Sequence, residues 1–126
     1  YSARHIEIIA LSDETTALTT GASKVTFRAP MAMVSIGFRL SCATAPTGSV
    51  ITVDVNEAGT SMLSTKLTID AGEKTSQTAA IPHVFAAGGN SVGDDVEITV
   101  DIDTVGSTIA GAGLKLIMYY YLDPLL

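Results

Sequence analysis

Two stretches of the chain share one pattern of alternating apolar and polar residues: residues 51–59 read ITVDVNEAG and residues 98–106 read ITVDIDTVG. The second begins 47 residues after the first (98 − 51). Ile51, Val53 and Val55 alternate with Thr52, Asp54 and Asn56, and Val96, Ile98, Val100 and Ile102 with Glu97, Thr99, Asp101 and Asp103. A period of two with β-branched residues on the apolar phase predicts half-buried strands. Two strands that are apolar on one face and acidic on the other ask for a core between two sheets. The echo itself predicts two similar four-strand halves.

The same periodicity continues elsewhere. Residues 1–11 carry the run IEIIAL, whose phase is ambiguous and whose length suits an edge strand or arm. Over residues 24–29, Val25 and Phe27 point inward and Lys24, Thr26 and Arg28 outward, until Pro30, which has no N–H for a ladder, ends the strand. Residues 33–42 predict the longest strand, with Val34, Ile36, Phe38, Leu40 and Cys42 on the apolar phase and Met33, Ser35, Gly37, Arg39 and Ser41 opposite. Residues 61–70 predict a strand with Leu63, Leu67 and Ile69 inward. Residues 81–85 are apolar but broken by Pro82, which places them at an edge, and residues 86–95 form a glycine-rich loop.

The last strand, from residue 114 to 122, departs from the rule. Leu114, Leu116, Met118 and Tyr120 fill its inward phase, yet Lys115, Ile117, Tyr119 and Tyr121 on the other phase are too apolar for a solvated sheet face. With Leu122, Leu125 and Leu126 they predict a subunit interface, where tyrosine and aliphatic side chains bury much area at low entropic cost. The alternative is that terminal loops cover this face. Short strands between Gly, Pro and Asn turns, with no convincing helix, predict an all-β fold: an antiparallel β-sandwich of jelly-roll type with about eight strands. An immunoglobulin-like sandwich competes, but the buried Trp usual in that fold has no counterpart here.

At 126 residues the chain reads as one domain, 1–126, with residues 114–126 its last strand and apolar tail. Only 16% of residues are charged and mean hydropathy is +0.39, which is apolar for so small a domain and implies surface buried against another subunit. The net charge of −6 disfavours nucleic acid, and the seven basic residues form no cluster in the sequence that would hold an anionic membrane. There is no run of eighteen apolar residues and no basic-then-apolar leader, so neither a membrane span nor a signal peptide is expected. Cys42 is the only cysteine, which excludes an intrachain disulfide.

Candidate chemistry is sparse. Asp54 to Glu57 begins like a calcium loop, but the fifth and twelfth positions are Ala58 and Thr65, and in the second copy Val105 and Ala112, so both fail as EF-hand loops. Asp94, Asp95 and Glu97, or Asp101 and Asp103, read as a solvated acidic face rather than a cation site. His5 and His83 lack the partners of a zinc site and read as surface or edge histidines, and Cys42 as a buried thiol. No nucleophile elbow, P-loop or paired carboxylates occur. The expectation is a protein that is not an enzyme, with no cofactor and no metal.

Three long segments, ALSDETTALTTGASKVTFRAPMA, TAPTGSVITVDVNEAGTSMLSTKLTIDAGEKTS and DDVEITVDIDTVGSTIAGAGLKL, resemble a module of structural proteins of tailed bacteriophages. The resemblance spans nearly all of the chain. It implies a small jelly-roll β-sandwich of capsid surfaces and fibres, often trimeric, located in the virion and without catalytic residues. The end of the chain, MYYYLDPLL, is more apolar than that pattern. The function expected is that of a capsid-surface decoration (cement) protein acting as a homo-oligomer, a trimer favoured, with the major capsid protein or other virion proteins as partners. The alternative is a receptor- or glycan-binding tip domain of a fibre or spike.

Overall fold

The computed structural model describes residues 3–122. These form an all-β protein in which every strand pairing is antiparallel. One sheet has the order β1 (Arg4–Ala10), β11 (Lys115–Leu122), β3 (Met33–Ser41), β9 (Ser91–Val92). The other has the order β2 (Gly21–Arg28), β10 (Glu97–Thr104), β4 (Ile51–Glu57), β5 (Thr60–Ser61), with β7 (Leu67–Ile69) also on β4. A two-stranded ribbon of β6 (Leu63–Thr65) and β8 (Val84–Phe85) completes the set, and the only helical segment among the described residues is a 3-10 turn at Ser76–Thr78. The pairing is nested: β1 with β11, β2 with β10, β3 with β9, β4 with β7.

Both sheets give their inward phase to one core. Phe38, Leu40, Leu116 and Met118 come from the first, and Ile51, Val53, Val55, Ile98, Val100 and Ile102 from the second. Each fully buried aliphatic side chain contributes roughly 1.5–3 kcal/mol. The polar residues between them lie on the outer faces, but on β4 Asp54 and Asn56 are buried there rather than solvated as expected.

The echoed segments lie side by side. β4 and β10 are antiparallel neighbours in one sheet, with Val55 opposite Val100 and Asp54 opposite Asp101. Their likeness therefore does not mark two equivalent halves. It reflects two central strands of one sheet, each buried on one face and held to the same requirements.

Three further expectations are corrected. The ladder between β11 and β3 shifts register between Tyr119 and Tyr120, whose partners are Gly37 and Ser35, so Ile36 is an extra residue in a bulge. Across it the phase inverts: Met33 and Ser35 are buried and Ile36 is exposed, while Phe38, Leu40 and Cys42 stay inward. Residues 61–70 do not form one strand but divide among β5, β6 and β7, which serve different partners. The 86–95 loop contains β9, whose Val92 is core.

The connection 106–113 is tightly packed rather than merely permissive. A Cβ on Gly106 would lie 1.8 Å from the Ile109 carbonyl oxygen and 2.9 Å from the Thr47 nitrogen. Thr47 and Gly106 are held there by hydrogen bonds from Thr47 N–H to Ile109 O (2.9 Å) and from Gly106 N–H to Ala110 O (3.0 Å).

Candidate interaction surface

The register of the first sheet decides what its outer face carries. Arg4 lies opposite Tyr121, Ile6 opposite Tyr119 and Ile8 opposite Ile117. On the other side of β11, Ile117 faces Arg39 and Tyr121 faces Val34. Directly paired residues share a face, so Ile6, Ile8, Val34, Ile117, Tyr119 and Tyr121 form one apolar field, joined by the bulged Ile36. Ile6 is 55% exposed, Ile8 66%, Ile36 39% and Tyr121 37%, whereas Ile117 and Tyr119 are half-buried.

Of the interface residues expected from sequence, Ile117, Tyr119 and Tyr121 come together here. Leu122 packs against the core side, and Leu125 and Leu126 lie outside the described residues. Sequence reasoning missed Ile6 and Ile8 because the run IEIIAL has no clean phase. It missed Ile36 because one extra residue reverses the alternation.

The field is also basic. Arg4, Arg39 and Lys115 share its face, three of the seven basic residues of a chain with net charge −6. They are far apart in sequence, and the sheet gathers them. The Arg39 guanidinium sits 5.2 Å from the centre of the Tyr119 ring, a cation–π contact, and Lys115 pairs with Glu14 at 2.5 Å. Gly37, opposite Tyr119, leaves a shallow depression of about 230 Å³ bordered by Arg4, Ile36 and Arg39.

The sheet edges are treated unequally. Beyond the short β9, the rim of β3 is sealed by the 74–83 segment: Leu40 N–H donates to Ser76 Oγ (2.8 Å), Phe38 N–H to His83 Nε2 (3.3 Å) and Cys42 N–H to Lys74 O (3.0 Å). His83 is thus an edge histidine, packed with Phe38 and Phe85, and burial lowers its pKa below the ordinary 6.5. Cys42 is buried, and burial raises its pKa. On β2 the edge is interrupted by a register shift and by Ser23 at φ 51°, whose N–H donates to the Asp101 carboxylate (2.7 Å). Among the described residues, no strand pairs with the outer edge of β1.

Between the β1 and β2 edges a cleft of about 400 Å³ is lined mainly by Ile9, Val25, Phe27, Met33 and Met118. At its rim Tyr120 Oη donates to Glu7 Oε1 (3.1 Å), and His5 stacks on Tyr120 with ring centres 5.5 Å apart. Burial, and then the Glu7 carboxylate, raise the Tyr120 pKa.

Of the acidic residues read from sequence, the outer face of the second sheet holds Glu97 and Asp101, with Asp103 at the β10 register shift, while Asp94 and Asp95 form the turn before β10. Asp54 and Asp101 stand opposite each other, and Lys66 reaches over them to Asp103 (2.5 Å) and Asp54 (3.9 Å). Ser61 Oγ donates to Asp54 and Asn56 Nδ2 to Asp101. A single lysine therefore offsets part of the charge of these three aspartates, and its own pKa is raised, first by the hydrogen bond to Asp103. Among the described residues no three His, Cys, Asp or Glu converge as metal ligands, and no helix is long and apolar enough to cross a membrane.

The chain matches no family model, no curated protein and no solved structure.

Proposed function

We propose that this protein is a non-enzymatic structural subunit that works by assembly, as an oligomeric decoration protein on the capsid surface of a tailed-phage virion. The observation that carries the assembly reading is the outer face of the β1-β11-β3-β9 sheet. Ile6, Ile8, Ile36 and Tyr121 stay exposed there around Ile117 and Tyr119, in a chain with few charges. An apolar field of this kind, with two arginines on the same face, has the composition of a protein interface: aromatic and aliphatic anchors with Arg beside them. The nested pairing of β1 with β11 through β4 with β7 supports reading the sandwich as a jelly roll. The capsid assignment draws on the resemblance of three long segments to phage structural modules. Attachment at many sites would let individually weak contacts reinforce a shell.

Quantifying this chain in intact and in tail-stripped particles tests the reading. A decoration protein is retained after tail removal, in a copy number matching shell symmetry. Loss together with the tail would overturn the capsid assignment in favour of a fibre or spike tip.

A further inference from the structure

We infer that β1 is a homotypic docking strand: two copies of the chain pair through it, antiparallel and about a two-fold axis at Ile6, to form one continuous eight-stranded sheet. This rests on the assembly reading above and specifies the contact between copies.

The ladder fixes which backbone groups are available. Leu11 N–H donates to Leu114 O (2.9 Å), so hydrogen-bonded pairs in this antiparallel ladder recur at every second residue back along β1, at Ile9, Glu7 and His5. The N–H and C=O groups of Arg4, Ile6, Ile8 and Ala10 therefore project from the open edge. An extended edge strand with apolar outward side chains is a template for another strand. The other long edges are sealed by the 74–83 segment or blunted by a bulge, as described above.

Side chains then choose the register. A pair centred on Glu7 would set the two Glu7 carboxylates directly opposite each other at a closely spaced position, which is repulsive. Moving the axis to Ile6 places His5 of each copy opposite Glu7 of the other, Ile6 opposite Ile6, and Arg4 opposite Ile8. Two donor–carboxylate pairs replace one like-charge contact. An inward charge on an edge strand normally guards against promiscuous pairing; Glu7 does this and admits the one register in which His5 meets it. The pairing also brings the two outer apolar faces into a single surface. It predicts assemblies built of two-fold pairs, hence even copy numbers, whereas the resemblance to phage modules favours a trimer.

Single cysteines test the register, with the wild type as control because Cys42 is buried. Opposed Ile6 positions would have Cα atoms about 5.5 Å apart, within disulfide reach. Glu7 positions would be displaced by about 7 Å and Ile8 positions by about 14 Å along the strands, beyond reach. Ile6→Cys should therefore give a covalent dimer under mild oxidation, and Glu7→Cys and Ile8→Cys should not. As a second arm, Ile8→Pro removes an outward N–H that the fold does not use, so it should keep the melting transition and lose the dimer. Cross-linking at Glu7 or Ile8 instead of Ile6, or an Ile8→Pro protein that remains dimeric, overturns the inference. If no variant cross-links while the wild type still oligomerises, only this contact is wrong; a wild type that is monomeric at all concentrations removes the assembly reading too.

Discussion

Replacing Lys66 by Met should destabilise the fold by about 1–2 kcal/mol, a figure that lies between exposed and buried ion pairs and nearer the exposed ones. Asp54 and Asp101 face each other on β4 and β10, and like charges directly opposite repel. Lys66 offsets this from 2.5 Å at Asp103 and 3.9 Å at Asp54. Were the cluster fully exposed, losing the lysine would cost about 0.2–1 kcal/mol; were it fully buried, about 3–5 kcal/mol. The Asp54 side chain is only 8% exposed, but that of Asp103, which makes the close contact, is 32% exposed and that of Lys66 44%, which places the cost nearer the lower limit. Urea unfolding should show a lower midpoint with an unchanged slope. Adding Asp54→Asn should recover about half of the loss, because the amide oxygen still accepts from Ser61 and one of the opposed charges is gone. A Lys66→Met protein within about 0.5 kcal/mol of wild type, the scatter of ordinary surface changes, would refute the arrangement.

Gly106→Ala should cost several kcal/mol, about 3 or more, because the added methyl meets backbone atoms that cannot yield without breaking the Thr47–Ile109 pairing; chemical denaturation measures it. His83 should make stability depend on pH. Burial lowers its folded pKa, so the unfolded chain binds a proton that the fold refuses: stability is full above about 6.5 and falls as the pH drops through the lowered value. Protonation would also turn the Nε2 acceptor of Phe38 N–H into a donor. Melting at pH 7.5 and pH 5 should therefore show a smaller acid-induced drop in His83→Gln than in wild type, and equal drops would contradict this account.

Much of the fold was legible in the chain because strand alternation is a strong local signal. Val25 and Phe27 on β2, the apolar phases of β4 and β10, and the inward Leu116, Met118 and Tyr120 of β11 lie where a period of two puts them. Strand partners were less legible. The likeness of 51–59 to 98–106 suggested separate halves, since similarity cannot tell a neighbour in one sheet from a counterpart in another. The bulge at Ile36 was hidden because its neighbours alternate perfectly in sequence, and only the ladder with Tyr119 and Tyr120 reveals the extra residue. The apolar excess of Ile117, Tyr119 and Tyr121 was visible as a broken rule. That Ile6, Ile8, Arg4 and Arg39 extend the same patch follows from register, which a linear reading does not contain.

The outer face of the four-stranded sheet, as the proposed assembly face, should contribute little to what holds the subunit together. Light scattering on Tyr119→Asp, run beside thermal melting, separates assembly from folding. Tyr119 is half-buried at the middle of that face, and a charge placed in a dry contact between proteins is costly. The expected result is a folded protein whose melting temperature changes by no more than a few degrees and which forms no assembly larger than the β1-paired dimer. Larger assemblies kept at their wild-type mass would contradict the assembly reading.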